Sequence, residues 1–180
     1  MKRYVIAVYV ENKYGVVARV SGLFMRRGFN IDSFTGQETD DPRYSRLTIT
    51  LRGDDFTRDQ VINQLKKLHN VKKVKLLPND ASVERELMII KVRNTPETRS
   101  EVMAAAEVYR AKIIDYTTNY MCIEVTGEPS KINAFSEVMR PLGIIETCRT
   151  GVVALERGSS IMENKLSYPS TIKTQYPKRG

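Results

Sequence analysis

The stretch that decides the fold is ENKYGVVARVSGLFMRRGFNIDS, residues 11–33. It follows a β-branched and aromatic segment, residues 3–10, which is short enough to be a strand. Apolar residues at helical spacing predict a helix that begins at Gly15, because they form one stripe that can face a sheet. Gly28 is placed to stop this helix, and a second strand is predicted to begin at Asn30.

The same stretch carries groups that suit a small ligand. The loop supplies the amide of Asn12, and the start of the helix adds free N–H groups and the positive end of its dipole. Asn30 stands where the next strand is predicted to begin, so the two amides can converge on one small molecule with a carboxylate. No side chain in the stretch suits acid, base or nucleophile chemistry. The pattern therefore predicts a binding site.

Outside this stretch, the order βαββαβ is predicted twice. Residues 44–51 alternate cleanly between apolar and polar side chains, which favours a sheet covered by helices on one face. The other predicted elements are a helix from Asp54 to near Asn70, strands at 71–77, 85–93, 111–117 and 120–126, helices beginning at Thr95-Pro96 and spanning 129–139, and one or two strands within 143–155. The predicted fold class is α+β, with two tandem ferredoxin-like βαββαβ domains.

The chain of 180 residues is long enough to form two small domains, each with its own core. We predict a first domain over 1–78, a linker over 79–84 where Asn79 and Asp80 follow Pro78, and a second domain over 85–158. Residues 159–180 are rich in Ser, Thr, Lys, Tyr and Pro and keep no periodicity, so we expect an extended or disordered tail.

Composition limits the class of protein. A hydrophobic share of 41% and a charged share of 28% are typical of a globular protein. No apolar run is long enough to span a membrane, and the N-terminus begins directly with a strand, so we expect a cytoplasmic protein with no membrane partner. Cys122 and Cys148 form no metal or redox motif and are expected to be reduced strand residues.

The net charge of +8 is uneven along the chain. Residues 1–80 carry +6, residues 81–159 carry −1 and residues 160–180 carry +3. A basic first half is compatible with nucleic acid or with an acidic protein surface, but a solvated face is the simpler interpretation.

RNA binding is an alternative function to consider, because RNA-recognition motifs share the βαββαβ order. Those domains read RNA with aromatic side chains on their central strands. The third strand here, residues 44–51, offers one aromatic residue at its edge, and its exposed face carries Arg and Thr. The match is poor, and no nucleic-acid partner is predicted.

Catalytic patterns are also missing from the sequence. There is no phosphate-binding or dinucleotide-binding glycine motif, and no His, Cys or carboxylate cluster has metal-ligand spacing. The single histidine, His69, is placed near the end of a predicted helix, where it suits the helix dipole. We therefore predict no catalytic residue, no metal and no cofactor on this chain.

Several short segments carry a family resemblance. They are NKYG at 12–15, GLF at 22–24, RGFNIDS at 27–33, SRLT at 45–48, RELM at 85–88, IID at 113–115 and GVVALERG at 151–158. In these segments, and in order over about residues 2–158, the sequence resembles the regulatory (small) subunit of acetolactate synthase, which is also called acetohydroxyacid synthase.

The resemblance implies a specific organisation. The first domain would be an ACT domain, two copies would pair their ACT sheets side by side, and an effector, usually valine, would bind at the interface of this homodimer. The implied effector-binding residues are Asn12, Tyr14, Gly15, Val16, Val17, Asn30 and Ile31. Their chemistry agrees, since glycine permits close approach of the backbone and N–H groups at a helix start suit an α-carboxylate.

The resemblance also implies a function. The chain would be a non-catalytic regulatory subunit that activates a catalytic large subunit and confers feedback inhibition by a branched-chain amino acid in valine, leucine and isoleucine biosynthesis. Thiamine diphosphate, Mg²⁺ and FAD are expected on that large subunit.

The sequence departs from the family in two places, since it continues beyond Gly158 and places the bulky Tyr14 directly before the loop glycine. Tyr14 can narrow the site or change which side chain fits. The alternative function is a stand-alone ACT-domain amino-acid sensor that acts on another protein.

Overall fold

The structure is a computed structural model that describes residues 1–159, 161 and 162. The first unit comprises β1 (Lys2–Glu11), α1 (Val16–Arg26), β2 (Ser33–Glu38), β3 (Tyr44–Gly53), α2 (Asp55–Lys66) and β4 (Val71–Leu77). The second unit comprises β5 (Ser82–Arg93), α3 (Arg99–Val108), β6 (Lys112–Tyr116), β7 (Tyr120–Gly127), α4 (Pro129–Met139), a short 3₁₀ turn (Arg140–Leu142), β8 (Ile144–Arg149) and β9 (Val153–Glu156). The predicted α+β fold with two ferredoxin-like units is confirmed.

The first unit is an antiparallel sheet in the order β2-β3-β1-β4. Strand β1 pairs with β3 along its whole length, from Lys2 opposite Gly53 to Glu11 opposite Tyr44. The stripe on α1 is buried against this sheet and consists of Val16, Val20, Leu23 and Phe24. Burial of this stripe, and not intrinsic propensity, fixes the helix, because an isolated helix of 11 residues is marginal in water.

The second unit repeats the arrangement in the order β6-β7-β5-β8, with β9 paired to the first residues of β5. Its core lies between this sheet and helices α3 and α4, around the fully buried Phe135. Cys122 lies on β7 and the exposed Cys148 lies on β8, and both are free thiols.

Several predicted boundaries were wrong. Strand β2 begins at Ser33 and not at Asn30, because a turn and three irregular residues follow α1. Helix α3 begins at Arg99 with Thr98 as its N-cap, because the residues after Thr95 form a turn that Thr95 closes through its hydroxyl. Strand β5 begins at Ser82, inside the predicted linker, because β9 extends it.

The outer face of the first sheet, opposite its helices, was expected to be open, but it is largely covered. Residues 150–159, 161 and 162, here called the crossing segment, lie across it. Val152, Ala154 and Met162 pack against Val5, Ala7, Tyr9 and Leu77 in a second core layer. Strand β1 is therefore buried on both faces, which explains its nearly continuous apolar sequence.

The crossing segment contacts all four strands of the first sheet, three of them through polar groups and β1 through the apolar layer. On β2, the Thr35 hydroxyl donates to the Thr150 carbonyl at 3.0 Å. The Arg46 guanidinium of β3 donates to the Ala154 carbonyl at 2.8 Å. Val5 and Ala7 of β1 contact the segment through the apolar layer, and Lys75 of β4 forms an ion pair with Glu156. The two units are thus joined by a packed surface.

The strands at the two ends of each strand order, β2 and β4 in the first sheet and β6 and β8 in the second, differ in their ability to pair with another strand. Strand β4 carries three lysines, and the pairings of β6 and β8 contain register irregularities. Both features hinder edge-to-edge pairing. Strand β2 pairs regularly with β3 over six residues and carries no Lys or Arg. Of these four edges, β2 is the one best suited to pairing.

The predicted tail over 159–180 falls outside the described residues except at 159, 161 and 162. Within the part of the chain that the structure covers, no helix is both long and apolar enough to cross a membrane.

Candidate functional site

The loop between β1 and α1 leads into a helix whose first N–H groups are not capped by any side chain. Gly15 precedes the helix with φ 77°, in the left-handed region, and no side chain caps the helix start. The Val16 N–H donates to the Lys13 carbonyl at 3.3 Å, and Arg19 begins the regular helical bonds. Helix geometry leaves the N–H groups of Val17 and Ala18 without an intrahelical acceptor. These groups, with the dipole, form an electropositive point that suits a carboxylate.

The amide of Asn12 is held in one orientation beside this helix start. Its Nδ2 donates to the carboxylate of Glu38 and to the carbonyl of Pro42, each at 3.0 Å. Its backbone N–H donates to the Arg43 carbonyl at 2.7 Å. Because both side-chain N–H groups are used, Oδ1 remains as the atom that can accept a hydrogen bond from a ligand.

A pocket of about 320 Å³ lies between the helix start and strand β2. Its lining residues are Val10, Glu11, Asn12, Lys13, Val16, Val17, Phe34, Gly36, Gln37, Glu38, Ser45 and Leu47. Small-molecule sites are commonly about 300–1,000 Å³. The pocket therefore offers an apolar floor with polar groups at its rim, on a scale that suits one small amino acid.

Strand β2 contributes pocket residues that were not predicted from the sequence. Phe34, Gly36 and Glu38 face this pocket, and a Cβ at Gly36 would lie only 2.8 Å from Leu47 Cδ2. A glycine in the interior of a strand often marks a close approach of backbone or ligand, so Gly36 was the available signal.

The seven predicted residues do not form one cluster within a single copy. Asn12, Val16 and Val17 line the pocket, whereas Gly15 does not line it and only precedes the adjacent helix start. The Tyr14 side chain is fully exposed and does not narrow the pocket.

Asn30 and Ile31 lie elsewhere. Asn30 lines a different cleft with Lys2 and Asp55, and Ile31 packs against the first core. Asn12 and Asn30 flank opposite ends of α1, whose 11 residues span about 16 Å. They do not converge within one copy.

A network of polar side chains fixes the end of β1 directly before the loop. The carboxylate of Glu11 accepts hydrogen bonds from Lys72, Lys13 and Asn70. Asn70 is buried and also accepts a hydrogen bond from Arg19 of α1. These contacts connect β1, α1 and β4 at the base of the pocket. Lys72, Lys13 and Asn70 together lower the pKa of Glu11 to about 2.

This shift predicts a pH dependence of stability. A depressed folded-state pKa means that Glu11 stabilises the fold fully above its ordinary pKa of 4.5, and that this contribution is lost as pH falls towards 2. Urea unfolding of the wild type and of Glu11→Gln should differ most at pH 6–7. The difference should shrink steadily below pH 4.5, and an equal difference at pH 7 and pH 2.5 would contradict the assignment.

The described residues contain no group of three or more His, Cys, Asp or Glu side chains that could hold a metal ion.

Comparison with known proteins adds to this geometry. Residues 6–73 match the AHAS small subunit-like ACT domain, and residues 85–158 match the family described as the small subunit of acetolactate synthase. A probable acetolactate synthase small subunit of Archaeoglobus fulgidus is 48% identical over 157 residues, which cover 87% of this chain and 98% of that protein. The acetolactate synthase isozyme 3 small subunit of Escherichia coli is 41% identical over 161 residues, covering 89% and 99%.

A solved structure agrees. The crystal structure of the acetolactate synthase small subunit from Thermotoga maritima superposes with a TM-score of 0.81 at 40% identity, covering 89% of this chain and 100% of that one. With an ACT unit first and matches over both halves, the chain belongs to the acetolactate synthase small-subunit family.

Proposed function

We propose that this chain is a non-catalytic regulatory subunit that binds the catalytic large subunit of acetolactate synthase in the cytoplasm and raises its activity. In this proposal a branched-chain amino acid, with valine as the first candidate, binds to the ACT units and lowers that activity. Thiamine diphosphate, Mg²⁺ and FAD would be held by the large subunit.

The observation that carries the effector proposal is the uncapped helix start beside a fixed amide. The N–H groups of Val17 and Ala18 suit the α-carboxylate of an amino acid, and Asn12 Oδ1 suits its ammonium group. The apolar floor, which includes Phe34 and Leu47, suits an aliphatic side chain. A zwitterion with a short branched side chain satisfies all three parts.

Strand β2 supports a homodimer that completes this site. If two copies pair their β2 edges antiparallel around a two-fold axis, the two α1 helices also run antiparallel. The end of α1 that carries Asn12 in one copy then lies beside the end that carries Asn30 in the other. Such pairing would bring together two residues that flank opposite ends of α1 within one copy.

The alternative is a stand-alone ACT sensor with another protein target. It predicts binding of an amino acid without any effect on acetolactate synthase. The family membership favours the regulatory-subunit proposal.

The test combines titration calorimetry with reconstitution. Purified chain is titrated with valine, leucine and isoleucine, and the purified large subunit is assayed with and without the chain and each amino acid. We expect activation by the chain and inhibition by at least one of the three. Asn12→Ala should weaken the binding of that amino acid about 10- to 150-fold, because the loss of one hydrogen bond to a charged group costs about 1.5–3 kcal/mol. Absence of activation would refute the proposal, and binding without any effect on the enzyme would favour the sensor.

A further inference from the structure

Strand β2 contacts different partners on its two faces. Its inner face contributes Phe34 and Gly36 to the pocket beside the helix start. Its outer face presents Thr35 to the crossing segment, where the Thr35 hydroxyl donates to the Thr150 carbonyl at 3.0 Å. The strand is also among the least buried of the first sheet, with three exposed residues at its end. A displacement of β2 that begins at the pocket therefore also displaces Thr35 against the crossing segment.

Thr150 is bonded to both units. Its backbone N–H donates to the Leu87 carbonyl at 3.0 Å, and its hydroxyl accepts from the Leu87 N–H at 3.2 Å. Leu87 belongs to β5, the strand that pairs with β7, β8 and β9 in the second unit. Because its carbonyl accepts from Thr35, Thr150 links β2 directly to the centre of the second sheet.

Gly151 allows this close contact. It has φ +78°, and a Cβ at this position would lie 2.8 Å from Thr35 Oγ1 and 3.1 Å from Ser33 Cβ. The next residue, Val152, is buried in the apolar layer beneath the crossing segment. The backbone of the segment therefore rests on β2 with no side chain between them.

We propose that Thr150 and Gly151 are positioning residues through which β2 passes a change in the effector pocket to the second unit. This inference rests on the proposed function for the identity of the effector, but the coupling itself is a property of the fold. A ligand that binds between α1 and β2 changes the position of β2. The Thr35–Thr150 bond carries that displacement to β5, and the second unit responds at a surface remote from the ligand.

The first experiment uses no ligand. Phe34→Leu disturbs β2 from its pocket face, and hydrogen–deuterium exchange follows the amides of Leu87 and residues 150–153. We expect faster exchange of these amides in Phe34→Leu, by about fivefold. In the double variant Thr35→Val/Phe34→Leu the additional effect of the Phe34 change should disappear, because the valine cannot donate to Thr150. Unchanged exchange at these amides in Phe34→Leu would overturn the proposal.

The second experiment uses the complex with the large subunit. Thr35→Val should leave the calorimetric affinity for the inhibitory amino acid within about threefold, while the concentration that half-inhibits the enzyme rises at least fivefold, within the range of typical allosteric coupling. Thr147→Val, at an exposed strand position on β8, serves as the matched control and should change neither value. Equal loss of binding and inhibition in Thr35→Val would overturn the proposal, because Thr35 would then affect only the affinity for the amino acid and not its coupling to the enzyme.

The two experiments separate the two proposals. Exchange coupling without any amino-acid binding by the wild type would refute the effector function and retain the coupling. Amino-acid inhibition that is unaltered in Thr35→Val, together with unchanged exchange, would retain the regulatory function and refute the coupling.

Discussion

Gly15→Asp is expected to abolish inhibition by the amino-acid effector while leaving activation of the large subunit intact. The new carboxylate lies at the electropositive start of α1, where the effector carboxylate is proposed to bind. Two like charges about 5 Å apart repel by about 3 kcal/mol at an effective dielectric constant of about 20. That repulsion corresponds to about 100-fold weaker binding. Calorimetry and inhibition curves with the large subunit measure the two effects.

Two controls separate charge from conformation. Gly15→Asn has the same shape as the aspartate and tolerates positive φ, but it adds no charge, so binding should weaken less than tenfold. Gly158→Asp places the same charge at another glycine with φ +77° and open surroundings, and it should not change inhibition. Full inhibition of the Gly15→Asp complex would remove this helix start from the proposed effector site.

Glu38→Pro is expected to convert the proposed β2-paired dimer into monomers at micromolar concentration. The Thr39 N–H donates to the Tyr44 carbonyl, and alternation along the strand then directs the N–H of Glu38 towards the open edge. Proline removes this donor and places its ring at the edge, without breaking a bond between β2 and β3. Two symmetric bonds are lost and a steric conflict is introduced, so we expect the proposed dimer to weaken at least 100-fold. Analytical ultracentrifugation measures the change.

Glu38→Ala is the matched control for this change. Both variants lose the carboxylate that accepts from Asn12, but alanine keeps the outward N–H. The alanine variant should remain dimeric within about tenfold of the wild-type dissociation constant. If both variants are dimers of wild-type affinity, β2 is not the pairing edge. Effector binding should fail in the proline variant together with the dimer, since Asn30 is proposed to come from the second copy.

The elements that were predicted correctly are those for which a single periodicity in the sequence was sufficient. The apolar stripe over residues 16–24 predicted α1, and alternation over 44–51 predicted β3. Four members of the stripe are buried as expected, namely Val16, Val20, Leu23 and Phe24, but Val17, which was also predicted to face the sheet, is exposed. The boundaries were less accurate where turn chemistry competes with periodicity, as at Thr95 and after Gly28. The coverage of the outer sheet face was missed, because it depends on residues 150–162, which are remote in sequence from β1.

Only the local part of the candidate site was predictable from the sequence. The helix start at Gly15 and the adjacent Asn12 are local features, and the sequence indicated both. The lining supplied by Phe34 and Gly36 requires the pairing of β2 beside β3 and α1, for which the glycine inside the strand was the one local signal. The separation of Asn12 from Asn30 also follows from the length of α1 between them.

The crossing segment has a consequence for how the protein is made. The first unit leaves the ribosome with Val5, Ala7, Tyr9 and Leu77 uncovered, because Val152, Ala154 and Met162 are synthesised only after strands β5 to β8 of the second unit. At about 5–20 residues per second, the nascent sheet waits roughly 4–17 s for its cover. The unit that begins the chain is thus the last to complete its core. The core of the proposed sensor unit is therefore completed only after strands β5 to β8 of the second unit, to which it would pass its signal, have been synthesised.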